Sequence, residues 1–311
     1  MCDHMSRLCD KLAAGHPVIT AEISPPKGAG IKKMLRQAAE IGPRVEAINI
    51  TDCQRALVRM SSMAACRVLA DNGYETVFQL TCRDRNSIAL QSDLMGASAL
   101  GIRNLLCLTG DPVKVGDSPK SKSVFEMEAV GLLQMVNALQ MGRDREGIKM
   151  NAPTKFFVGA VVNPTLGGNA NQLSRMERKI EAGARFFQTQ ANYDLDDLTA
   201  FLERTRPFQT PVLAGVLILH TYEIARYIHD NIPGIQVPDS VLERFRTASD
   251  PQAAGIDFAV ETMLKTAPLC AGFHVMSVRE EELIPKVIES FYDKRNTRQD
   301  APPSLPLTAG S

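Results

Sequence analysis

Short apolar runs rich in β-branched residues recur along this chain at a nearly fixed spacing, each followed by apolar residues at helical intervals. The runs lie at residues 18–23, 45–50, 76–80, 104–108, 156–162, 186–189, 211–216 and 272–276. Continuous apolar runs of this length suit parallel strands covered on both faces. Between them, helical intervals join Leu35, Ala38 and Ala39; Met60, Met63, Ala64 and Leu69; Leu90, Leu94 and Leu100; and Leu132, Leu133, Val136 and Leu139. Eight strand-then-helix units are the count of a closed (β/α)8 TIM barrel, an α/β fold.

The residues at or just after the strand ends are Glu22, Thr51, Thr81, Thr109, Asn163, Gln190, Val216 and His274, at intervals of 29, 30, 28, 54, 27, 26 and 58 residues. The two doubled intervals must hold insertions. The first contains a polar loop at 110–123, a long helix and a charged connector at 142–153, and a loop of that length after a strand is more often functional than idle. The second contains extra helices before strand eight, at 240–248 and 251–265, with Asp239 and Asp250 as expected N-caps. Residues 1–292 are read as one barrel domain. The polar segment 293–311 is read as a flexible tail that frays.

Of the 311 residues, 44% are hydrophobic, and 35 basic side chains balance 35 acidic ones. Such a chain buries a large core and is neither a disordered tail, a coiled coil nor a charge-driven nucleic-acid binder. Apolar stretches such as 212–219 are far short of the roughly 20 residues that span a bilayer, and residues 1–15 hold no signal-peptide core. A cytoplasmic protein with no membrane partner is expected. Seven scattered cysteines, an odd number, read as reduced thiols.

In such barrels chemistry sits at the C-terminal rim, where the strand-to-helix loops converge. Here the rim carries Glu22, Thr51-Asp52, Gln79-Leu80-Thr81, Thr109-Gly110-Asp111, Asn163-Pro164, Thr189-Gln190 and His274. A carboxylate or amide at the end of a buried strand is costly unless paired, so several aimed at one mouth point to a polar pocket.

The same elements carry a resemblance. Ala21-Glu22-Ile23-Ser24-Pro25-Pro26, Ile50-Thr51, Leu80-Thr81-Cys82, Leu108-Thr109-Gly110-Asp111, Arg178-Lys179 through Glu181-Ala182-Gly183-Ala184, and Thr189-Gln190 occur in the order in which the methylenetetrahydrofolate reductase family has them. Over about residues 17–292 the chain resembles the bacterial short form of that family. The resemblance implies a flavoprotein that reduces 5,10-methylenetetrahydrofolate to 5-methyltetrahydrofolate by hydride transfer through the bound flavin. By the same resemblance Glu22 is the general acid, a role that requires burial at the barrel mouth. Asp111 is a catalytic residue beside flavin and folate whose charge tunes the flavin and orients the pterin, Gln190 is both a catalytic and a substrate-binding residue, and Tyr222 stacks on substrate or nicotinamide. Thr51, Gln79, Thr109, Gly110, Asp111, Asn163 and Lys179 fall on flavin-contacting positions. Gln79 and Asn163 stand where the family often has histidine and Thr109 where it often has arginine. Losing a cation beside the phosphates weakens the hold on a dinucleotide flavin, which leaves FMN beside FAD. The electron donor stays open between NAD(P)H and a reduced ferredoxin relayed by a partner. A homo-oligomer or a complex with an electron-transfer protein is expected, and the alternative activity is that of a folate-binding accessory subunit without independent turnover.

Other signals are weaker. Gly28-Ala29-Gly30 lacks the third glycine of a dinucleotide fingerprint, position 33 being Lys33. Cys2, His4 and Cys9 contain no Cys-x-x-Cys pair, so no metal site is assigned. His274, within an apolar strand, reads as a core or rim residue, His220 as able to face the pocket, and Cys53, Cys82 and Cys107 as small core hydrophobes. No strand-end lysine supports a Schiff-base lyase.

Overall fold

The computed structural model describes residues 5–165, 169–232 and 234–300. Eight parallel strands, β1 (Val18–Ile23), β2 (Ala47–Ile50), β3 (Thr76–Thr81), β4 (Asn104–Leu108), β5 (Phe157–Val162), β6 (Phe186–Thr189), β7 (Val212–Ile218) and β8 (Gly272–Ser277), form a closed barrel in sequence order. β8 pairs back onto β1, with Thr20 opposite His274. Around it run α1 (Arg7–Ala13), α2 (Lys32–Ile41), α3 (Ser62–Asp71), α4 (Ser87–Ala99), α5 (Ala129–Gln140), α6 (Asn169–Glu181), α7 (Leu195–Thr205), α8 (Tyr222–Asn231), α9 (Asp239–Thr247), α10 (Pro251–Thr266) and α11 (Leu283–Asp300). The TIM barrel expected from the spacing is therefore the fold. No helix among the described residues is long and apolar enough to cross a membrane.

Alternation along the strands sorts side chains into two sets. Ile19, Ala21 and Ile23 of β1 pack with Ile48, Ile50, Phe78 and Leu80 in the main core, which also takes in apolar residues of the surrounding helices. Val18 instead joins Ala47, Val77, Leu106, Phe157, Phe186 and Leu213 in a separate cluster with Leu8, Cys9 and Leu12 of α1. That helix closes the N-terminal end of the barrel. Ser6 caps it by accepting from the Cys9 N–H, and the Glu75 carboxylate accepts from the N–H groups of Arg7 and Leu8 at its positive end.

Three expectations need correction. β7 runs past Val216 to Ile218, so Val216 is not a strand end. Asp250 does cap α10, accepting from the Ala253 N–H at 3.0 Å, but α9 starts at Asp239 itself, behind Pro238, without a side-chain cap. The polar segment after residue 292 does not fray at once, because α11 continues to Asp300 on the strength of Leu283, Ile284, Val287, Ile288 and Phe291 buried in the core and a Lys294–Asp257 ion pair. Residues 301–311 lie outside the described residues.

α10 crosses the end of β7 at Gly255, where a Cβ would stand 1.8 Å from the Leu219 carbonyl oxygen. Helix propensity alone would favour Gly255→Ala by about 1 kcal/mol. The contact is with backbone that cannot swing aside, and overpacking of this kind costs about 1–3 kcal/mol or more. Net destabilisation is expected, read as a lower thermal midpoint; a raised midpoint would show that α10 shifts freely.

Candidate active site

Six strand ends and α2 and α8 surround a cavity of about 840 Å³ at the C-terminal mouth, within the size range of small-molecule sites. Glu22, Thr51, Asp111 and Gln190 border it, from β1 and the loops after β2, β4 and β6. Its apolar walls include Pro25, Pro26, Leu57, Leu217, Ile235 and Met276. Polar groups on a few sides of an apolar slot suit a flat heterocycle bearing donors and acceptors.

Glu22 is the second-last residue of β1. One carboxylate oxygen accepts from the Gln54 amide and the other from the Gln79 amide, both at 3.2 Å, and His274 Nε2 lies 3.7 Å from the second. Asp111 follows Gly110, whose φ of +94° and close approach to the Cβ atoms of Thr81 and Arg83 leave little room for a side chain. Its carboxylate accepts from the Arg55 backbone N–H at 3.0 Å. The Gln190 side-chain amide oxygen accepts from the Ala191 backbone N–H at 3.2 Å. The Thr51 hydroxyl donates to the Ser24 hydroxyl at 3.4 Å.

The remaining residues expected at the site do not border the cavity. Gln79 is buried beneath it and meets it through Glu22. The Thr109 hydroxyl accepts from the Ala129 N–H at the start of α5. The Asn163 amide donates to the Gly234 carbonyl, while its oxygen accepts from the N–H and hydroxyl of Thr165. Lys179 reaches back from α6 and donates to the Val161 carbonyl at 2.6 Å. Tyr222, at the start of α8, packs on an apolar cluster, and the aromatic ring at the cavity is Tyr227, with Asp230 and Asn231 one turn on.

Sequence reasoning passed over Gln54, Arg55 and Tyr227. Arg55, at φ +55°, hydrogen-bonds the Tyr227 hydroxyl and lies over its ring at 5.4 Å, linking the loop after β2 to α8 across the mouth. The spacing of Tyr227, Asp230 and Asn231 along one helix face was the available signal. His220 is buried away from the cavity; Cys82 and Cys107 are core residues, but Cys53 is a half-buried loop residue. Burial pushes the Cys82 thiol up to about 12, so it stays protonated. Of the N-terminal cluster, Cys9 is buried in α1, and Cys2 and His4 lie outside the described residues.

Burial, with repulsion from Arg175, pulls the Lys179 ammonium down from 10.5 to about 8. The unfolded chain then binds more protons than the folded one between those two values, so stability rises with pH across that window. Lys179→Met lacks this gain. Urea unfolding below pH 8 and near pH 10.5 should show the wild type gaining on the variant; a constant difference would refute the burial of a charge.

The family model of methylenetetrahydrofolate reductase matches residues 7–291. The chain belongs to the methylenetetrahydrofolate reductase family. It is 22% identical to methylenetetrahydrofolate reductase 2 of Schizosaccharomyces pombe over 91% of this chain and 46% of that protein, and 22% identical to methylenetetrahydrofolate reductase 1 of the same yeast over 71% and 36%. The chain thus spans less than half the length of these relatives. Among solved structures, a Clostridium thermocellum protein that binds two copies of 5-methyl-5,6,7,8-tetrahydrofolic acid superposes with a TM-score of 0.64 at 14% identity, covering 93% of this chain and 99% of that one.

Methylenetetrahydrofolate reductases typically carry FAD, and the cavity can be tested for it. The ring end fits: Thr51, Asp111 and Gln190 border the open volume, and Gly110 lets backbone come close. Thr109, Asn163 and Lys179, which the resemblance assigns to flavin contacts, lie off the cavity and are engaged by protein groups, Lys179 being turned onto a carbonyl. The open volume thus offers room and polar groups for a ring, and these three residues offer no free group to its phosphates.

Proposed function

We propose that this chain reduces 5,10-methylenetetrahydrofolate to 5-methyltetrahydrofolate at the cavity bordered by Glu22, Asp111 and Gln190. One observation carries the reading: a carboxyl group, a second carboxylate and an amide from three distant strand ends border a single open volume. The structural likeness to a protein that binds 5-methyltetrahydrofolic acid supports the same ligand class.

The folate ring opens when the bond between its methylene carbon and N10 breaks. The electron pair goes to N10, which takes the Glu22 proton, and the carbon is left as an electrophilic iminium. Two amide donors fix the Glu22 carboxyl, so the proton is delivered from a set direction. Gln190 offers a donor and an acceptor to the pterin edge, and Asp111 offers acceptors to its N–H groups. Thr51 and Asp111 would hold a flavin ring at the cavity, and the flavin, when bound and reduced, would supply hydride chemistry to the one-carbon unit.

The test is anaerobic. Protein reconstituted with FAD or FMN should bleach when 5-methyltetrahydrofolate is added, through the reverse half-reaction, and NADH, NADPH and reduced ferredoxin can then be compared as donors. Protein that takes up neither flavin nor folate overturns the reading. The engagement of Thr109, Asn163 and Lys179 favours a second reading, a folate-binding accessory subunit without turnover, whose signature is folate affinity with no flavin reduction by any donor.

A further inference from the structure

The mouth of the cavity is bridged by a cation on an aromatic ring. Arg55 reaches from the loop after β2 to Tyr227 on α8, its guanidinium carbon 5.4 Å from the ring centroid and one nitrogen donating to the hydroxyl, and both side chains border the open volume. The local chain alone would not choose this approach. Cys53, Arg55 and Ala56 have φ of +45°, +55° and +54°, left-handed values that a side chain disfavours and that persist only where the surroundings hold them. Two aspartates of the loop after β4 do so. Asp111 accepts from the Arg55 N–H at 3.0 Å and Asp117 from the Val58 N–H at 2.9 Å.

Tyr227 remains 36% exposed at the edge of an apolar slot, which leaves a large aromatic surface for a flat ligand to cover. Tyr222 has no such surface to offer the cavity: it packs against a cluster that holds Tyr193, Phe245 and Phe258 and does not border the open volume. A guanidinium stacks on aromatic faces and carries five N–H donors, of which the Tyr227 hydroxyl takes one, so the pair presents both a flat surface and donors for a ring carbonyl. Its place in the barrel indicates which ring. α8 follows β7, beside the β6 end that carries Gln190 and across the mouth from the β2 and β4 ends that carry Thr51 and Asp111.

We propose that Arg55 and Tyr227 together form the stacking platform for the ring system of the folate. The ring lies against the pair, while Arg55 fixes the phenol and offers N–H groups to the ring carbonyl. The role that the resemblance gives to Tyr222 passes to Tyr227. The proposal rests on the folate-reducing reading above.

The experiment reads binding in the full chain, so it is independent of turnover. Tyrosine is present only five times, and in tyrosine-labelled protein the two relevant ring signals are assigned by their loss in Tyr227→Leu and Tyr222→Leu. Addition of 5-methyltetrahydrofolate should move the Tyr227 signal upfield, through the ring current of a stacked ring, and leave the Tyr222 signal in place. Tyr227→Leu should weaken 5-methyltetrahydrofolate binding about tenfold. Arg55→Gly, which suits the left-handed backbone, should weaken it by a similar factor, and the double variant should be within about twofold of either single one, because the two side chains act as a unit. An unmoved Tyr227 signal with folate bound, an unchanged affinity in Tyr227→Leu, a loss that appears in Tyr222→Leu instead, or losses that multiply in the double variant overturns the proposal and leaves the function standing. A Tyr227 signal moved by FMN and not by the folate does the same. If Tyr227→Leu does not fold, the wild-type signal decides, assigned through Tyr227→Phe. Wild type that binds no 5-methyltetrahydrofolate overturns the function and the proposal together.

Discussion

Glu22→Gln is expected to slow reduction of methylenetetrahydrofolate by about 10²–10⁴-fold, the usual contribution of a general acid. The substitution is nearly isosteric and keeps one oxygen to accept from Gln54 or Gln79, so the β1 end should hold its place. What disappears is the proton for N10. Affinity for 5-methyltetrahydrofolate should therefore stay within about fivefold, as expected when an interaction of the transition state alone is removed. Single-turnover kinetics with pre-reduced protein isolates the step from product release. A loss of less than about tenfold would show that the proton comes from elsewhere, since no auxiliary group supplies so little of a barrier on which the assignment depends.

Asp52→Ala should produce the largest loss of stability. Asp52 is 3% exposed, yet it accepts from the backbone N–H and hydroxyl of Thr81, both at 2.9 Å, and from Arg85 through two nitrogens at 2.7 and 3.2 Å. Arg85 is held above its ordinary range by Asp52 and Asp93 against the opposing effect of burial. Without Asp52 the guanidinium keeps only Asp93, and the Thr81 N–H loses its side-chain acceptor. Removing one partner of a buried pair costs about 3–5 kcal/mol, far more than the pair contributes over an apolar replacement. Urea unfolding measures this, and Arg85→Met should show a comparable loss, because it leaves the more deeply buried Asp52 carboxylate with only the Thr81 N–H and hydroxyl as donors. A cost below about 1 kcal/mol for Asp52→Ala would mean that water reaches the guanidinium. The same pair ties the loop after β2 to the end of β3, so Thr51 and Gln54 should lose their register with Glu22, and activity should fall with stability.

The barrel was legible because its strands are short apolar runs whose type depends on local pattern. Residues 18–23, 104–108 and 186–189 are strands with the expected bounds, and the other five strands differ by one or two residues at an end. α1 was missed because its seven residues show only Leu8 and Leu12 at helical spacing; the rest of its role, sealing the barrel, depends on seven strand residues far away. Glu22, Asp111 and Gln190 were legible as rim groups, since a strand end followed by a loop places them at the mouth whatever the rest does. Lys179 was harder, because a lysine on a helix can point either way along its flexible stem, and here it reaches back to β5. His274 reads locally as one residue in an apolar strand. Only Thr20 and Gln188, placed beside it by barrel closure, make it polar in context.

The plug of Leu8, Cys9 and Leu12 leaves the cylinder open at one end only. On the proposed reading, a Glu22 that has given up its hydrogen finds no route to solvent through this floor and would be recharged from above. An occupant of the cavity stands in that route. Reloading the acid would then wait on departure of the methylated product, leaving each visit of folate a single proton to draw on.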